Sequence, residues 1–308
     1  MKGEWFVVVN PNAGNGKGKK DWKEISLLLD QAGLPHTNVV TEHKGHAITL
    51  VHRYIDMGFN RIIVVGGDGT LNEAVNGIMT QRRVYPHEIE LALIPVGTGN
   101  DWVRTHGIPT DYVKAIDVIK RGCVVRHDAA FVEYTDEGRP HKRYFINMCG
   151  LGFDAEVNLK VNAKTGLLKS TEVAYLYNIF TTLLQHSNSQ VKLTMDGKVF
   201  EKEVFSMAAG ICCFNGSGMK QLPFAKFDDG LLDLTIIGKV GKVKIIRSIK
   251  KLYDGSFTDI KEVETFTFKN LKVESDAMFR MEVDGESLPP SDYEIQIMEG
   301  ALSMVLPN

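Results

Sequence analysis

The sequence has little of three things: cysteine, net charge and long apolar runs. Its four cysteines form no C-x-x-C pair, and its histidines show no metal-ligand spacing with them, so we predict reduced thiols and no zinc role. A formal net charge of -2 gives no general attraction to nucleic acid, and we predict no such partner. No apolar run approaches about 18 residues, and the N-terminus lacks a signal-peptide pattern. We therefore expect a cytoplasmic protein without a membrane span.

The first third of the chain alternates between extended and helical patterns. Extended runs cover 5–10, 37–41, 61–65 and 90–97, and helical spacing covers 21–33, 46–58 and 71–79. Strands separated by helices of this length predict a parallel sheet with helices on both faces. Ligands of such sheets bind at the carboxyl ends of the strands.

From about residue 128 the segments become short and extended. The dipeptides Asp196-Gly197 and Asp284-Gly285 are typical of tight hairpin turns, and the pattern as a whole predicts a β-sandwich. Two helical stretches interrupt it, at 170–186 and 242–255.

These patterns predict two domains. The α/β domain covers 1–128 and the β-sandwich covers 129–299, and residues 300–308 are a candidate strand that returns to the first domain.

Three glycine-rich loops follow strands of the predicted parallel sheet. They are "NPNAG" with its continuation (10–19), "GGDGT" (66–70) and "PVGTGND" (95–101). Neither a P-loop lysine nor the third glycine of a dinucleotide fingerprint is present. Thr70 and Glu73 have the spacing of a capping box, which predicts Thr70 as a helix N-cap and the helix start as an anion site. Asp68 beside a phosphate would require a cation, and Mg²⁺ is the usual one.

The motifs in their order carry a resemblance to a known family. "NPNAG" (10–14), "GGDGTLNE" (66–73) and "PVGTGND" (95–101) are followed by "GLGFDAEV" (150–157), "PFAKFDDGLLDL" (223–234) and "VDGE" (283–286). This set resembles the diacylglycerol kinase catalytic domain family, and within it the soluble bacterial lipid kinases. The resemblance implies an α/β domain of the NAD kinase and phosphofructokinase type, a β-sandwich domain for the lipid, and an active site between them.

The resemblance also implies a reaction and its residues. ATP with Mg²⁺ would phosphorylate a lipid hydroxyl, and diacylglycerol would become phosphatidic acid. Glu286 would be the general base with Asp284 beside it, and Asp68, Asp101 and Asp128 would form a network that positions Mg²⁺. A second Mg²⁺ would be held by the Asp229 side chain and the carbonyls of Lys226 and Leu231. The implied nucleotide contacts are Asn10, Pro11, Asn12, Ala13, Gly14, Thr41, Gly66, Gly67, Asp68, Gly69, Thr70, Leu71, Asn72, Glu73 and Thr98.

Several alternatives remain open at this point. The acceptor could be a sphingoid base, ceramide, monoacylglycerol, or a soluble molecule such as NAD, and a non-catalytic nucleotide- or lipid-binding role is the other class. The basic stretch 239–255 either touches the inner face of a membrane or packs on the sandwich with a solvated face. The helix at 170–186 either lines an acyl-chain pocket or belongs to the core. A homodimer is left open.

Overall fold

The computed structural model describes residues 3–121, 123–163, 181–183, 185–275 and 280–308. Its first part alternates strand and helix as predicted. The elements are β1 (Trp5–Val9), α1 (Ala13–Gln31), β2 (His36–Val40), α2 (His46–Asp56), β3 (Arg61–Gly66), α3 (Asp68–Thr80), β4 (Glu90–Pro95), α4 (Asp101–Thr105) and α5 (Tyr112–Arg121).

The later part is dominated by antiparallel strands. They are β5 (Val124–Asp136), β6 (Arg139–Phe145), β7 (Met148–Gly152), β8 (Ser189–Met195), β9 (Lys198–Gly210), β10 (Leu232–Gly238), β11 (Val263–Phe268), β12 (Asn270–Glu274), β13 (Met281–Val283), β14 (Glu286–Ser287) and β15 (Tyr293–Val305). The helices here are α6 (Phe153–Ala163), α7 (Lys242–Ser248) and α8 (Lys251–Asp254).

Strands β2, β1, β3 and β4 pair in parallel in that order. Strand β1 is buried throughout, and β3 and β4 are buried except for a half-buried first residue. Strands that are covered on both faces have continuous apolar runs. Because the strands run in the same direction, the loops that follow β1, β3 and β4 emerge at one edge of the sheet. This arrangement brings the three glycine-rich loops together.

Strand β15 connects the parallel strands with the antiparallel part. Ser303 and Met304 pair in parallel with β4, while the same strand pairs antiparallel with β5 and β12. The register with β5 shifts between Met298 and Leu302. The hydrogen-bonded ladder is therefore continuous from β2 to β14. The exact domain boundaries stay a prediction.

Local predictions met different outcomes. The two hairpin turns are confirmed, because Asp196, Gly197, Asp284 and Gly285 all have positive φ, as tight hairpin turns require. The stretch 242–255 forms two short helices rather than one.

The predicted helix at 170–186 lies mostly outside the described residues, and so does its acyl-pocket role. Along the described part of the chain, we find no helix both long and apolar enough to cross a membrane.

Candidate active site

The loops after β3 and β4 touch each other through two glycines. A Cβ on Gly97 would lie 2.7 Å from the Cα of Gly67, and a Cβ on Gly67 would lie 3.0 Å from the Cα of Gly97. The first loop packs against the same place, because a Cβ on Gly14 would lie 2.1 Å from the carbonyl oxygen of Val96. Gly14 also has a φ of 59°, which favours glycine. The sequence puts glycine where three backbones must meet.

The meeting loops form one side of an open cleft. Most of the predicted nucleotide contacts line it: Asn10, Asn12, Ala13, Gly14, Thr41, Gly67, Asp68, Gly69, Thr70, Glu73 and Thr98. Pro11, Gly66, Leu71 and Asn72 do not line this cleft, although Leu71 lines a smaller adjoining cavity. Lys44 lines the cleft as well, and the antiparallel part contributes Gly285, Glu286 and Ser287. The cleft therefore lies between the two parts of the chain.

The predicted capping box is wrong. Helix α3 begins at Asp68 with Gly67 as its N-cap, so Thr70 lies in the first turn, where its Oγ1 accepts a hydrogen bond from Asn10 Nδ2 at 2.8 Å. The Glu73 carboxylate instead accepts hydrogen bonds from the backbone N–H groups of Gly45 and Ala47, at the start of α2. A sequence spacing cannot show that another helix end competes for the same glutamate.

Asp68 and Asp101 form a hydrogen-bonded unit beneath the cleft. The Asp68 carboxylate accepts the backbone N–H groups of Asp101 and Trp102 at 3.1 and 3.2 Å. The Asp101 carboxylate accepts those of Ser217 and Gly218 at 2.9 and 2.7 Å. Burial raises the pKa of Asp68 and raises the pKa of Asp101 to about 6. Two such acids side by side suit a cation, which would favour their ionised forms.

Asp284 fixes the turn that carries Glu286. Its carboxylate accepts hydrogen bonds from the backbone N–H groups of Ile146, Asn147 and Met148 at 3.0–3.2 Å, while burial raises its pKa to about 6. Glu286, two residues on, is half-buried and forms an ion pair with Lys44 across the cleft. The anchored turn therefore positions Glu286 opposite the glycine loops.

A smaller cavity joins the carboxylates of both parts. Asp68, Asp101 and Asp284 all line it, and Asp68 and Gly285 also line the cleft. The cleft and the smaller cavity therefore adjoin, and Asp68, Asp101 and Asp284 line the smaller one. The resemblance grouped Asp68 with Asp101 and Asp284 with Glu286, and the fold shows that Asp68, Asp101 and Asp284 line one cavity.

Asp128 forms its hydrogen bonds apart from Asp68 and Asp101, and the predicted network of three stays a prediction. Its carboxylate accepts the backbone N–H groups of Gly230 and Gly300 at 2.8 and 2.6 Å, rather than joining the Asp68 and Asp101 hydrogen bonds. Burial raises the pKa of Asp128, and the neighbouring charges of Asp229 and Glu299 raise it further. Asp128 thus belongs with the loop predicted to hold a second Mg²⁺. Oxygen atoms are the ligands that a hard cation such as Mg²⁺ takes.

Sequence reasoning missed an apolar cavity in the antiparallel part. Phe153, Val157, Phe205, Ile245, Leu252 and Phe257 are among its lining residues. Two acids stand at its polar end: Asp154 accepts a hydrogen bond from Gln221 Nε2 at 3.2 Å, and Glu282 accepts one from Asn215 Nδ2 at 3.3 Å. Burial raises the pKa of Glu282 to about 8. Asp154 lies in the "GLGFDAEV" motif, which was the one available signal.

The chain matches two family models. Residues 4–132 match the diacylglycerol kinase catalytic domain, and residues 147–306 match the YegS C-terminal NAD kinase beta sandwich-like domain. It is 31% identical to a diacylglycerol kinase of Staphylococcus saprophyticus over 91% of this chain and 88% of that protein. It is 30% identical to one of Staphylococcus carnosus, over 91% and 87%.

Solved structures agree on the fold. A diacylglycerol kinase from Bacillus anthracis str. Sterne superposes with a TM-score of 0.73 at 25% identity, covering 99% of this chain and 97% of that one. A yeast NADH kinase, complexed with NADH, superposes with a TM-score of 0.55 at 9% identity, covering 99% and 84%. That second likeness concerns the fold alone. The predicted α/β domain followed by a β-sandwich domain is confirmed.

Proposed function

Because the chain belongs to the diacylglycerol kinase family, we propose that it transfers the γ-phosphate of ATP to a lipid hydroxyl, with diacylglycerol as the acceptor and phosphatidic acid as the product. One observation carries the proposal: Glu286 lines the same cleft as Gly67, Gly69 and Thr98, and it enters from the opposite part of the chain. A phosphate-binding wall thus faces a carboxylate that can take up a proton.

The glycine loops would hold the triphosphate. The start of α3 lines the cleft, where the N–H groups of a helix start attract anions, and the glycines let phosphate oxygens approach the backbone. Lys44 adds a positive charge on the rim of the cleft, where it pairs with Glu286. Phosphoryl transfer of this kind depends mostly on positioning and on compensation of charge.

Mg²⁺ fits the carboxylates of this chain. Asp68 and Asp101 would hold one ion beside the triphosphate, where it would offset phosphate charge. Asp229, with the carbonyls of Lys226 and Leu231, would hold a second ion. Asp128 supports that loop, because its carboxylate accepts a hydrogen bond from the backbone N–H of Gly230, the residue after Asp229.

Glu286 would act as the general base. Asp284 holds the turn through its three backbone hydrogen bonds, so the base has a fixed place relative to the donor loops. A base must lie within hydrogen-bond reach of the hydroxyl from which it takes the proton. Asp284 is in this view a positioning residue.

The apolar cavity supports a lipid acceptor rather than a soluble one. Its walls are aromatic and aliphatic side chains, which match an acyl chain, and its polar end carries Asp154 and Glu282. Asn215 links this end to the smaller cavity, because it lines both. An acyl chain in the cavity would thus leave its head group near Asp101 and Asp284.

The face outside that cavity suits an anionic bilayer. Helices α7 and α8 cover the cavity with Ile245 and Leu252, and they expose Val243, Ile246 and Tyr253 to 63%, 44% and 46%. The same helices carry exposed cations: Lys242, Lys244, Arg247, Lys250 and Lys251. Exposed apolar side chains between cations are typical of interfacial helices. We propose that the enzyme takes its lipid from the membrane here.

The test of function measures transfer of labelled phosphate from ATP with Mg²⁺. Diacylglycerol, monoacylglycerol, ceramide and sphingosine in mixed micelles, and soluble NAD, are offered in parallel. We expect labelled phosphatidic acid from the wild type and a loss of about 10²–10⁴-fold in Glu286→Gln. Glu264→Gln, at an exposed ion pair, is the matched control. Label in NAD alone would overturn the lipid proposal, and label in another lipid would change the acceptor.

The membrane contact has a separate test. Sedimentation with vesicles of phosphatidylcholine, with or without phosphatidylglycerol, should show binding that needs the anionic lipid and weakens as salt is raised. The paired change Lys250→Glu and Lys251→Glu should reduce the bound fraction, and so should Val243→Ser with Ile246→Ser. Lys198→Glu, an exposed lysine in a distant hairpin, should leave it unchanged. Equal vesicle binding by all variants would refute the proposal that α7 and α8 contact the membrane.

A further inference from the structure

Three metal-ligating side chains meet outside the active-site cleft. His106 follows α4, His127 belongs to β5, and Cys212 follows β9. The ligand atoms of all three lie within 4.8 Å of one another. His127 and Cys212 are buried, and His106 is half-buried. No sequence spacing indicated this cluster, because its members are 21 and 85 residues apart along the chain.

The distances match those around a tetrahedral ion. Nε2 of His106 lies 3.2 Å from Nε2 of His127 and 3.7 Å from Sγ of Cys212. Bond lengths of about 2.0–2.1 Å to nitrogen and 2.3 Å to sulfur place two nitrogens about 3.3 Å apart, and a nitrogen and a sulfur about 3.6 Å apart. The two distances from His106 are thus close to those that a zinc-like ion would impose.

His127 is oriented as a ligand would be. Its Nδ1 contacts the carbonyl oxygen of Asp128, and a carbonyl can only accept, so Nδ1 carries the proton. Its Nε2 lone pair therefore points at His106. A hydrogen bond from the other ring nitrogen to a carbonyl is the usual support of a metal-binding histidine.

We propose that His106, His127 and Cys212 bind a thiophilic divalent ion of the zinc type. Two imidazoles and a thiolate suit zinc and not Mg²⁺, which takes oxygen ligands. On binding, the Cys212 S–H bond breaks, a metal–sulfur bond forms and the proton leaves to solvent. His106 carries its proton on Nδ1 in the bound state, so that Nε2 can ligate.

The ion would join the two parts of the chain at a point that matters to the proposed kinase. His106 comes directly after α4, and Asp101 at the start of α4 already accepts hydrogen bonds from Ser217 and Gly218. Cys212 precedes those two residues by a few positions. A bound ion would therefore hold α4 against the segment that supports Asp101. This consequence rests on the proposed function, while metal binding itself does not.

The test titrates Co²⁺ into chelator-treated protein, because tetrahedral Co²⁺ is coloured and a cobalt–thiolate bond absorbs in the near ultraviolet. We expect saturation at one ion per chain, displacement by Zn²⁺ and no competition from Mg²⁺. Cys212→Ser should abolish the thiolate band. His106→Gln and His127→Gln should weaken binding by more than the roughly 10–100-fold cost of losing an outer partner.

Cys213, the next residue after Cys212, and His52, on helix α2, supply the controls. Cys213→Ser and His52→Gln should leave the spectrum unchanged, and circular dichroism should show each variant folded. Zn²⁺ should also raise the melting temperature of the wild type, as any ligand specific for the native state does. A colourless wild type, or a thiolate band that survives Cys212→Ser, would overturn the proposal. The readout does not involve kinase activity, so a failed lipid assay leaves this test intact.

Discussion

Asn72 Nδ2 donates a hydrogen bond to Asp284 Oδ2 at 2.8 Å, which joins helix α3 to the turn before Glu286. The same amide nitrogen donates to the carbonyl of Tyr144 at 3.0 Å, and Asn72 is 1% exposed. The donor side and the base side of the cleft are thus connected through one buried side chain. The sequence resemblance implied a nucleotide contact for Asn72, whereas its observed contacts hold the two sides in register.

Changing Asn72→Ala should destabilise the protein and slow the reaction together. The substitution removes one donor to Asp284 and the Asn72 Oδ1 acceptor of Arg143, while the Tyr144 carbonyl keeps the Asn76 donor, and the loss of these hydrogen bonds should cost about 1–3 kcal/mol. Urea unfolding would measure the loss of stability, and kcat should fall because the Glu286 turn is no longer fixed. Asn60→Ala, at an exposed position, is the control. An unchanged kcat would show that Asp284 needs no support from α3.

Two glycines of one loop should respond differently to alanine. Gly67→Ala places a Cβ 3.0 Å from Gly97, so the β3 and β4 ends must separate and the free protein should melt at a lower temperature. Gly69→Ala meets nothing within 4 Å and lies in helix α3, so the free protein should be as stable as the wild type or more. Both variants should show a higher KM for ATP. A normal KM in Gly69→Ala would argue against phosphate at the start of α3.

The stability of the protein should depend on pH through Glu282. Its pKa in the folded protein is raised to about 8 from 4.5, chiefly by desolvation and then by the Asp154 charge. The folded state therefore holds a proton that the unfolded state has lost between these values, and stability falls as pH rises through that range. The slope for one proton is at most about 1.4 kcal/mol per pH unit.

Glu282→Gln removes this titration while it keeps the shape of the protonated acid. The free energy of unfolding of the variant, relative to that of the wild type, should increase as pH rises from about 5 to about 8. Denaturant melts at several pH values measure the difference. Glu264→Gln, at an exposed position, is the control, and its free energy of unfolding should change with pH as that of the wild type does. Parallel curves for Glu282→Gln as well would mean that Glu282 is ionised at neutral pH.

Lys44→Met should affect catalysis more than stability. Lys44 is 76% exposed in its ion pair with Glu286, and such surface pairs contribute about 0–1 kcal/mol. The lost charge on the cleft rim should raise the KM for ATP, most clearly at low ionic strength. Lys142→Met, at another surface ion pair, is the control. A KM for ATP equal to that of the wild type would show that Lys44 does not contribute to nucleotide binding.

Some features could be predicted because they depend on neighbours in sequence. The positive φ of Asp284 and Gly285 follows from their own chemistry, and so the turn was predicted correctly. Strand periodicity likewise gave the parallel sheet, and with it the edge where Gly14, Gly67 and Gly97 meet. The order of the motifs indicated the family, since each is a short segment with a fixed composition.

Other features depend on partners that are distant in sequence. Glu73 has the spacing of a capping box with Thr70, but the start of α2 lies closer to its carboxylate in the fold. Asp128 resembled a third member of the Asp68 group, yet the loop at Gly230 and Gly300 takes its hydrogen bonds. The cluster of His106, His127 and Cys212 had no signal at all in the sequence.

The sequence by itself determined the local conformations, the two patterns of secondary structure and the family, because these follow from backbone preferences and from residues close along the chain. The tertiary structure decided which acids share a cavity, which helix Glu73 caps and where an apolar pocket opens. These outcomes depend on the packing of elements that are distant along the chain. Contacts between residues more than 70 positions apart, such as Asn72 with Asp284, are set by that packing and not by any pattern in the chain.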